Sequence, residues 1–343
     1  MKRDRVISPE AGKPDEEKAI LSLRPETLDE YIGQINLVEK MRLSIQAAKG
    51  RDEPHEHILF YGPPGLGKTT LAYILANEMG ASIVCASGPS LTRSGDLMGI
   101  LTNLKRGDVL FIDEIHRLNP VVEEFIYPAL EDFRIEFLVD KGAFSRVINM
   151  PLKHFTMVGA TTRAGMLSAP LRDRFGIYHH IDFYETDELA QVVRRSSKLM
   201  EVDIDEEASL IIGRRSRGTP RVANRLLRRV RDYCQVKGDG TINADIAEKA
   251  LTLEGIDNIG LDKLDRSYIR VIIDYYRGGP VGLDTIATTL NEERDTLVDM
   301  VEPYLLKIGL IQRTRQGRIA TDMAYEHLGI KKGETSGPQE SLF

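Results

Sequence analysis

The sequence predicts three folded domains in series: an α/β domain built on a parallel sheet around a phosphate loop, a small all-helical domain, and a C-terminal winged helix. Three observations carry that prediction. Residues 62–69 read Gly62-Pro-Pro-Gly65-Leu-Gly67-Lys68-Thr69, a complete G-x-x-x-x-G-K-T pattern, with an apolar strand at 58–61 feeding it and a good helix former at 70–77 leaving it. A second apolar run at 109–112 ends in Asp113-Glu114, as a buried parallel strand of the same sheet would. From residue 184 the pattern turns helical, with Val222, Leu226 and Val230 on one face.

Each element implies chemistry. In the glycine-rich loop the backbone curls until successive N–H groups point at phosphates, and the following helix adds its positive end. Lys68 would neutralise charge between the β- and γ-phosphates, while the Thr69 hydroxyl would hold Mg²⁺. Strand and helix on the correct sides set this run apart from a chance Gly-rich turn, so the chain is expected to bind ATP. Asp113 would hold the magnesium shell through water, and Glu114 would orient and polarise the water that attacks the γ-phosphate. A third strand at 155–158 ends in Gly159-Ala-Thr161-Thr162. Such residues are ordinary loop formers, yet the tips of a doubly wound sheet line the ligand crevice, which makes Thr161 a candidate γ-phosphate sensor. Past Ala169-Pro170, Arg172-Asp-Arg174 offers a guanidinium from a loop, where a neighbouring subunit can lend it to a transferring phosphate.

Composition bounds the rest. A chain of 343 residues with 42% hydrophobic and 29% charged residues suits a globular protein of two to three domains. Its formal net charge of -6 excludes a general nucleic-acid-binding coat, so any such contact must be local. Cys85 and Cys234 are too few for a disulfide framework or a zinc site, and His55, His57, His179 and His180 lack metal spacing. With no leader-like start and no run long enough to span a membrane, a cytoplasmic location is expected.

The boundaries are read as a polar arm at 1–20, the large α/β domain at 21–183, the helical lid at 184–255, the winged helix at 256–330 and a tail at 331–343. Eight arginines fall between Arg214 and Arg231 with no acid among them, which fits either a solvated or subunit-facing helix side or DNA contact. Runs at 133–139 and 144–150 flank a Gly-containing turn and form a β-hairpin exposing some of Phe137, Val139, Phe144 and Ile148, for a partner or for packing on the lid. In the last domain, helices are expected at 268–276, 285–290 and 296–308, with wing strands at 311–313 and 318–320. From residue 303 to 321, Lys307, Arg313, Arg315 and Arg318 occur with no acid, a local phosphate-binding edge on a module that elsewhere also binds proteins.

These residues reach a family pattern. GPPGLGKTTLA, FIDEIHRL from Phe111, GATTRAG from Gly159, APLRDRFG from Ala169, GTPRVANRLLRRVRD from Gly218 and the stretch from Leu23 to Gln34 together resemble the AAA+ ATPases. Within them the chain is similar, from about residue 20 to 330, to the hexameric ring motors of Holliday-junction branch migration in recombination and repair. The resemblance implies that Leu23, Arg24, Tyr31, Ile32 and Tyr184 frame the adenine, and that Gly65, Lys68, Thr69 and Thr70 hold phosphates and magnesium. It places Glu131, Asp132 and Phe133 near the nucleotide, makes Arg174 an arginine finger acting in trans, and makes Arg221 the second sensor. It also implies duplex contacts by Arg294, Arg313 and Arg318, docking of the hairpin on the junction-binding protein RuvA, and the resolvase RuvC in the same assembly. Two other readings use the same core: a clamp-loader-like or initiator ATPase, and an ATP-gated transcription regulator. For the latter, Gly142-Ala-Phe144 is faintly similar to the loop of sigma-54 activators, though it lies on the wrong side of the acidic strand.

Overall fold

The computed structural model describes residues 23–139 and 146–332, and the side chains at 138, 139, 146 and 147 lie outside that description. The chain divides into two compact units, one ending at Asp182 and one beginning at Phe183, with Pro63–Gly65 grouped in the second.

The first unit is built on a five-stranded parallel sheet of order β2-β3-β6-β1-β7. Its strands are β1 (Ile58–Tyr61), β2 (Ile83–Ser87), β3 (Val109–Asp113), β6 (Thr156–Thr161) and β7 (Ile177–His180). Residues Ile58–Phe60 of β1, Val109–Ile112 of β3 and all of β6 are buried, as strands covered on both faces must be. The central pairings align Tyr61 with Thr161 and Ile112 with Gly159, so three strand tips reach one edge together. The third expected strand runs on through Gly159 to Thr161, while β2 and β7 were not foreseen. On β7, His179 stacks on Phe60 with ring centroids 5.8 Å apart, and burial lowers its pKa to about 4, so it packs as a neutral ring. His57 is likewise lowered to about 4 by burial, with its Nε2 on the Leu130 carbonyl.

Helix Lys68–Met79 starts inside the glycine-rich loop and stops where Gly80 turns left-handed at φ 68°. Helix Pro120–Glu131 is capped by Asn119, whose side chain accepts from the Val121 N–H, with proline at the first helical position. Its inner face, Val122, Ile126, Ala129 and Leu130, joins Leu110, Ile112 and Phe155 in the main core. The hairpin pairs β4 (Arg134–Val139) with β5 (Arg146–Pro151), setting Phe137 opposite Ile148. Ile135 is buried; Ile148 and Met150 are exposed large apolar residues. Phe144, and the side chain of Val139, lie outside the described residues.

In the second unit, helices Thr186–Leu199, Glu206–Arg214, Pro220–Lys237 and Ala244–Leu253 form the lid. A two-residue parallel pairing of β8 (Asp203–Ile204) with β9 (Thr241–Ile242) interrupts what reads as all helix. The winged helix follows. Its first helix, Lys263–Arg270, runs into a π turn at Val271–Tyr275, and its third widens into another at Leu297–Val301 before continuing as Glu302–Lys307. Strands β10 (Ile311–Arg313) and β11 (Arg318–Ala320) make the wing at the expected residues. Leu283, Ile286, Leu297, Leu305 and Ile311 pack its core.

Candidate functional site: a phosphate loop beside an acidic strand end

The loop after β1 has a backbone that its glycines permit. Gly62 has φ 142°, and a Cβ there would sit 2.4 Å from the Ile181 carbonyl oxygen; Gly67 has φ 103°, and a Cβ would sit 2.9 Å from the Tyr31 hydroxyl. Side chains at these positions would force the loop apart. Lys68 opens the following helix and is buried, with its Nζ donating 2.8 Å to the Gly62 carbonyl inside the loop. Thr69 and Thr70 occupy the next two positions of that helix and are half-buried. The segment bearing Leu23, Arg24, Tyr31 and Ile32 lies along the same helix. Tyr31 donates to the Leu66 carbonyl at 3.4 Å, Arg24 covers the Tyr73 ring at 5.8 Å, and Asn77 donates to the Glu26 carbonyl.

At the tip of β3 the backbone bends sharply. Glu114 adopts a left-handed φ of 48°, a conformation rare for a non-glycine residue and concentrated at functional sites. The Asp113 carboxylate accepts from the Glu114 N–H at 2.9 Å. Glu114 Oε2 accepts from the Thr162 hydroxyl at 3.3 Å and lies 3.3 Å from His116 Nδ1. That same nitrogen is 2.9 Å from Thr161 Oγ1, which also accepts from the Arg163 N–H. Thr161, the expected sensor, is thus fully buried and bonded within the fold, whereas the half-buried Thr162 meets the catalytic carboxylate candidate. Choosing between adjacent threonines needs the facing of the strand tip, which no local pattern supplied. His116 was also missed, because its partners come from two strands.

Arg174 joins a different cluster. Its guanidinium lies 4.2 Å above the Tyr127 ring, 3.1 Å from Glu131 and within 2.6 Å of the Pro170 carbonyl. Two residues expected near nucleotide, Glu131 and Arg174, are therefore partners of each other. Asp132 pairs with Arg134 at 3.1 Å, and Phe133 stacks on His154 with centroids 4.1 Å apart.

In the second unit, Thr219 caps helix Pro220–Lys237, and the exposed Arg221 donates its N–H to the Gly65 carbonyl at 3.3 Å. Tyr184 is buried and donates its N–H to the Gly218 carbonyl. Of the expected duplex contacts, Arg294 is exposed and pairs with Asp284 at 3.2 Å. Arg313 and Arg318 instead share one carboxylate: Glu302, fully buried, accepts from Arg313 Nε at 2.9 Å, Arg318 Nε at 2.8 Å and the Tyr268 hydroxyl at 2.5 Å. Burial pushes the Glu302 pKa up, but these donors outweigh it and hold the carboxyl below its usual range.

Among the described residues, no cluster of three or more His, Cys, Asp or Glu could hold a metal ion by itself. Mg²⁺ bound through nucleotide needs only one or two protein oxygens, so the donor types of Thr69 and Asp113 fit such an ion.

Comparison with known proteins agrees along the chain. Residues 23–181 match the family described as "Holliday junction DNA helicase RuvB P-loop domain", 184–257 the "RuvB AAA lid domain", and 258–329 the "RuvB C-terminal winged helix domain". The "Holliday junction branch migration complex subunit RuvB" of Desulfosudis oleivorans is 58% identical over 312 residues, covering 91% of each chain. The solved Thermotoga maritima RuvB Holliday junction branch migration motor is 50% identical, with a TM-score of 0.84 over 90% of this chain and 99% of that one. Variants of that protein superpose with TM-scores of 0.83 to 0.84. The clamp-loader and transcription-regulator readings lose their ground, because the match continues through lid and winged helix. The chain belongs to the RuvB family of Holliday junction DNA helicases.

Proposed function

We propose that this RuvB-family ATPase drives Holliday-junction branch migration from nucleotide sites completed by a neighbouring copy in a homohexameric ring. One observation carries the hydrolytic part: β1, β6 and β3 are consecutive in the sheet, which supports grouping the phosphate loop, Thr162 and Asp113-Glu114 at one edge. Lys68 neutralises the β- and γ-phosphates, and Leu23, Arg24, Tyr31, Ile32 and Tyr184 frame the base. Thr69 and Asp113 hold Mg²⁺, which when bound offsets the charge of the phosphate oxygens. Glu114 orients a water and takes its proton as the water oxygen bonds to the γ-phosphorus; the bond to the bridging oxygen breaks and ADP leaves with the electron pair. Arg174 of a neighbouring copy steadies that charge, with Glu131 as its resting partner, and Arg221 reports phosphate loss to the lid. Winged helices grip duplex through phosphate contacts, which position without reading sequence. The hairpin, with exposed Ile148, docks on RuvA, and RuvC works on the same assembly. No described helix is long and apolar enough to cross a membrane, in keeping with work in the cytoplasm.

The test mixes Lys68→Ala and Arg174→Ala proteins. Each alone turns over ATP poorly, by about 10³-fold or more for the finger variant. In a head-to-tail ring mixed at equal amounts, roughly a quarter of interfaces join an intact loop to an intact finger, so activity returns in part. No recovery at any ratio, in rings shown by native mass to contain both variants, would place Arg174 in cis.

A further inference from the structure

The turn that precedes Arg221 carries a second arginine with a different attachment. Arg217 sits at a left-handed φ of 54°, uncommon for a residue other than glycine, and its side chain is only 12% exposed. Its guanidinium reaches into the winged helix. There it donates to the Met300 carbonyl at 2.6 Å, pairs with Asp265 at 3.0 Å and Asp262 at 3.6 Å, and lies 5.4 Å over the Tyr304 ring. Asp265 is fully buried, so the contact lies in low dielectric, where removing the guanidinium leaves a buried carboxyl without its cationic neighbour. Met300 lies within the π turn of the third helix, the kind of ladder distortion that recurs at functional positions.

The neighbouring residues of the turn are also clasped. A Cβ on Gly260 would meet the Arg215 carbonyl oxygen at 2.5 Å, and Arg215 Nη1 donates to the Ile256 carbonyl. Lys307 of the winged helix sits 4.9 Å over the Phe183 ring, against which Gly218 packs. Immediately afterwards come Thr219, the helix cap, and Arg221.

We propose that Arg217 is a positioning residue that locks the winged helix to the phosphate-sensing turn, so that a change at Arg221 moves the DNA-gripping domain as one body with the lid. This rests on the reading of Arg221 as phosphate sensor and of the winged helix as duplex grip. Loss of the lock leaves chemistry and grip intact but disconnects them. A coupling residue of this kind alters communication between two sites more than either site's own constants.

The experiment uses the full-length protein with and without duplex DNA. Arg217→Asn tolerates the left-handed backbone and removes the guanidinium. Expected are an ATP KM, a DNA-free turnover rate and a duplex affinity each within about twofold of the parent, with DNA stimulation of turnover and branch migration reduced about tenfold. Arg217→Lys keeps the charge beside Asp265 and recovers part of the stimulation. Full stimulation in Arg217→Asn overturns the inference. Should Arg217→Asn lose its melting transition, Arg217→Lys decides: reduced stimulation at the parental melting temperature supports the lock, and parental stimulation overturns it. Arg221→Ala, run alongside, separates the two claims. If its DNA-free turnover survives, the sensor reading fails; if it collapses while Arg217→Asn stays fully stimulated, only the lock fails.

Discussion

Glu302→Gln tests the charge cluster under the wing, and its cost follows from the geometry. The carboxylate is fully buried and receives Arg313, Arg318 and Tyr268, while the two arginine side chains are 47% and 20% exposed. Glutamine keeps the shape and one acceptor, so the Tyr268 hydroxyl stays satisfied. Arg313 can turn to water at little cost, but Arg318 is left mostly buried beside a neutral amide. Removing one partner of a buried pair costs about 3–5 kcal/mol, and discounting for the exposed guanidinium leaves about 2–3 kcal/mol. Amide hydrogen exchange on the full-length protein reads this locally: wing amides in Ile311–Arg313 and Arg318–Ala320 should exchange about 30- to 150-fold faster at pH 7. The Glu302 pKa is depressed in the folded state, so its contribution is present above its ordinary value of 4.5 and is lost as pH falls through the lower folded value. The gap between parent and variant should therefore close in acid. Wing protection unchanged within about twofold at neutral pH would refute the argument, and Arg313 and Arg318 would then be free to serve DNA alone.

Two further outcomes are expected. Glu114→Gln and Thr162→Val should each bind ATP normally yet lower turnover, by about 10²-fold or more for the carboxylate, measured as single-turnover rates beside equilibrium nucleotide binding; Thr161→Val should instead cost about 1–3 kcal/mol of stability, because its buried hydroxyl serves the Arg163 N–H and His116. Asp265 is pushed up from 3.8 to about 7, chiefly by burial and against the pull of Arg217, with Asp262 and Asp257 adding to the rise. A carboxyl raised in the folded state stabilises below its unfolded pKa and loses that contribution as pH rises through the folded one, so the parent should lose stability relative to Asp265→Asn between about pH 4 and 7. Melting temperatures of the pair that run parallel across that window would contradict the assignment.

What the sequence revealed was whatever a short contiguous run could state. The phosphate loop, the Asp113-Glu114 strand end and the wing strands were legible because each chemical group sits beside the backbone geometry that presents it. The cluster under the wing was not. Arg313 and Arg318 lie in a window free of acid from 303 to 321, and their carboxylate stands at Glu302, one position upstream and on a different element. Proximity there is made by the third helix folding over the strands. Strand β2 went unread although Ile83-Val84-Cys85-Ala86 is a short apolar run, because no chemical motif at its end marks it as part of this sheet, and β7 because Ile177–His180 has no apolar run beyond its first two residues. Burial, which makes His179 a neutral stacking ring, is a property of the sheet and not of the residue.

The parallel order of the sheet also governs how the chain must be made. Of the strands of this sheet β1 is synthesised first, and among the described residues its strand partners are β6 and β7, with Ile58 facing Val158 on one side and Ile177 on the other. At about 5–20 residues per second, the ribosome needs on the order of ten seconds to supply those partners. Through that interval Ile58, Leu59 and Phe60, all wholly covered in the finished sheet, remain open to water and to other chains. Non-local pairing of this sort folds slowly and is prone to aggregation. The strand that launches the nucleotide loop is thus the one that most needs shelter in the newborn chain, and slower elongation between β1 and β6 would lengthen its exposure without touching any contact of the native protein.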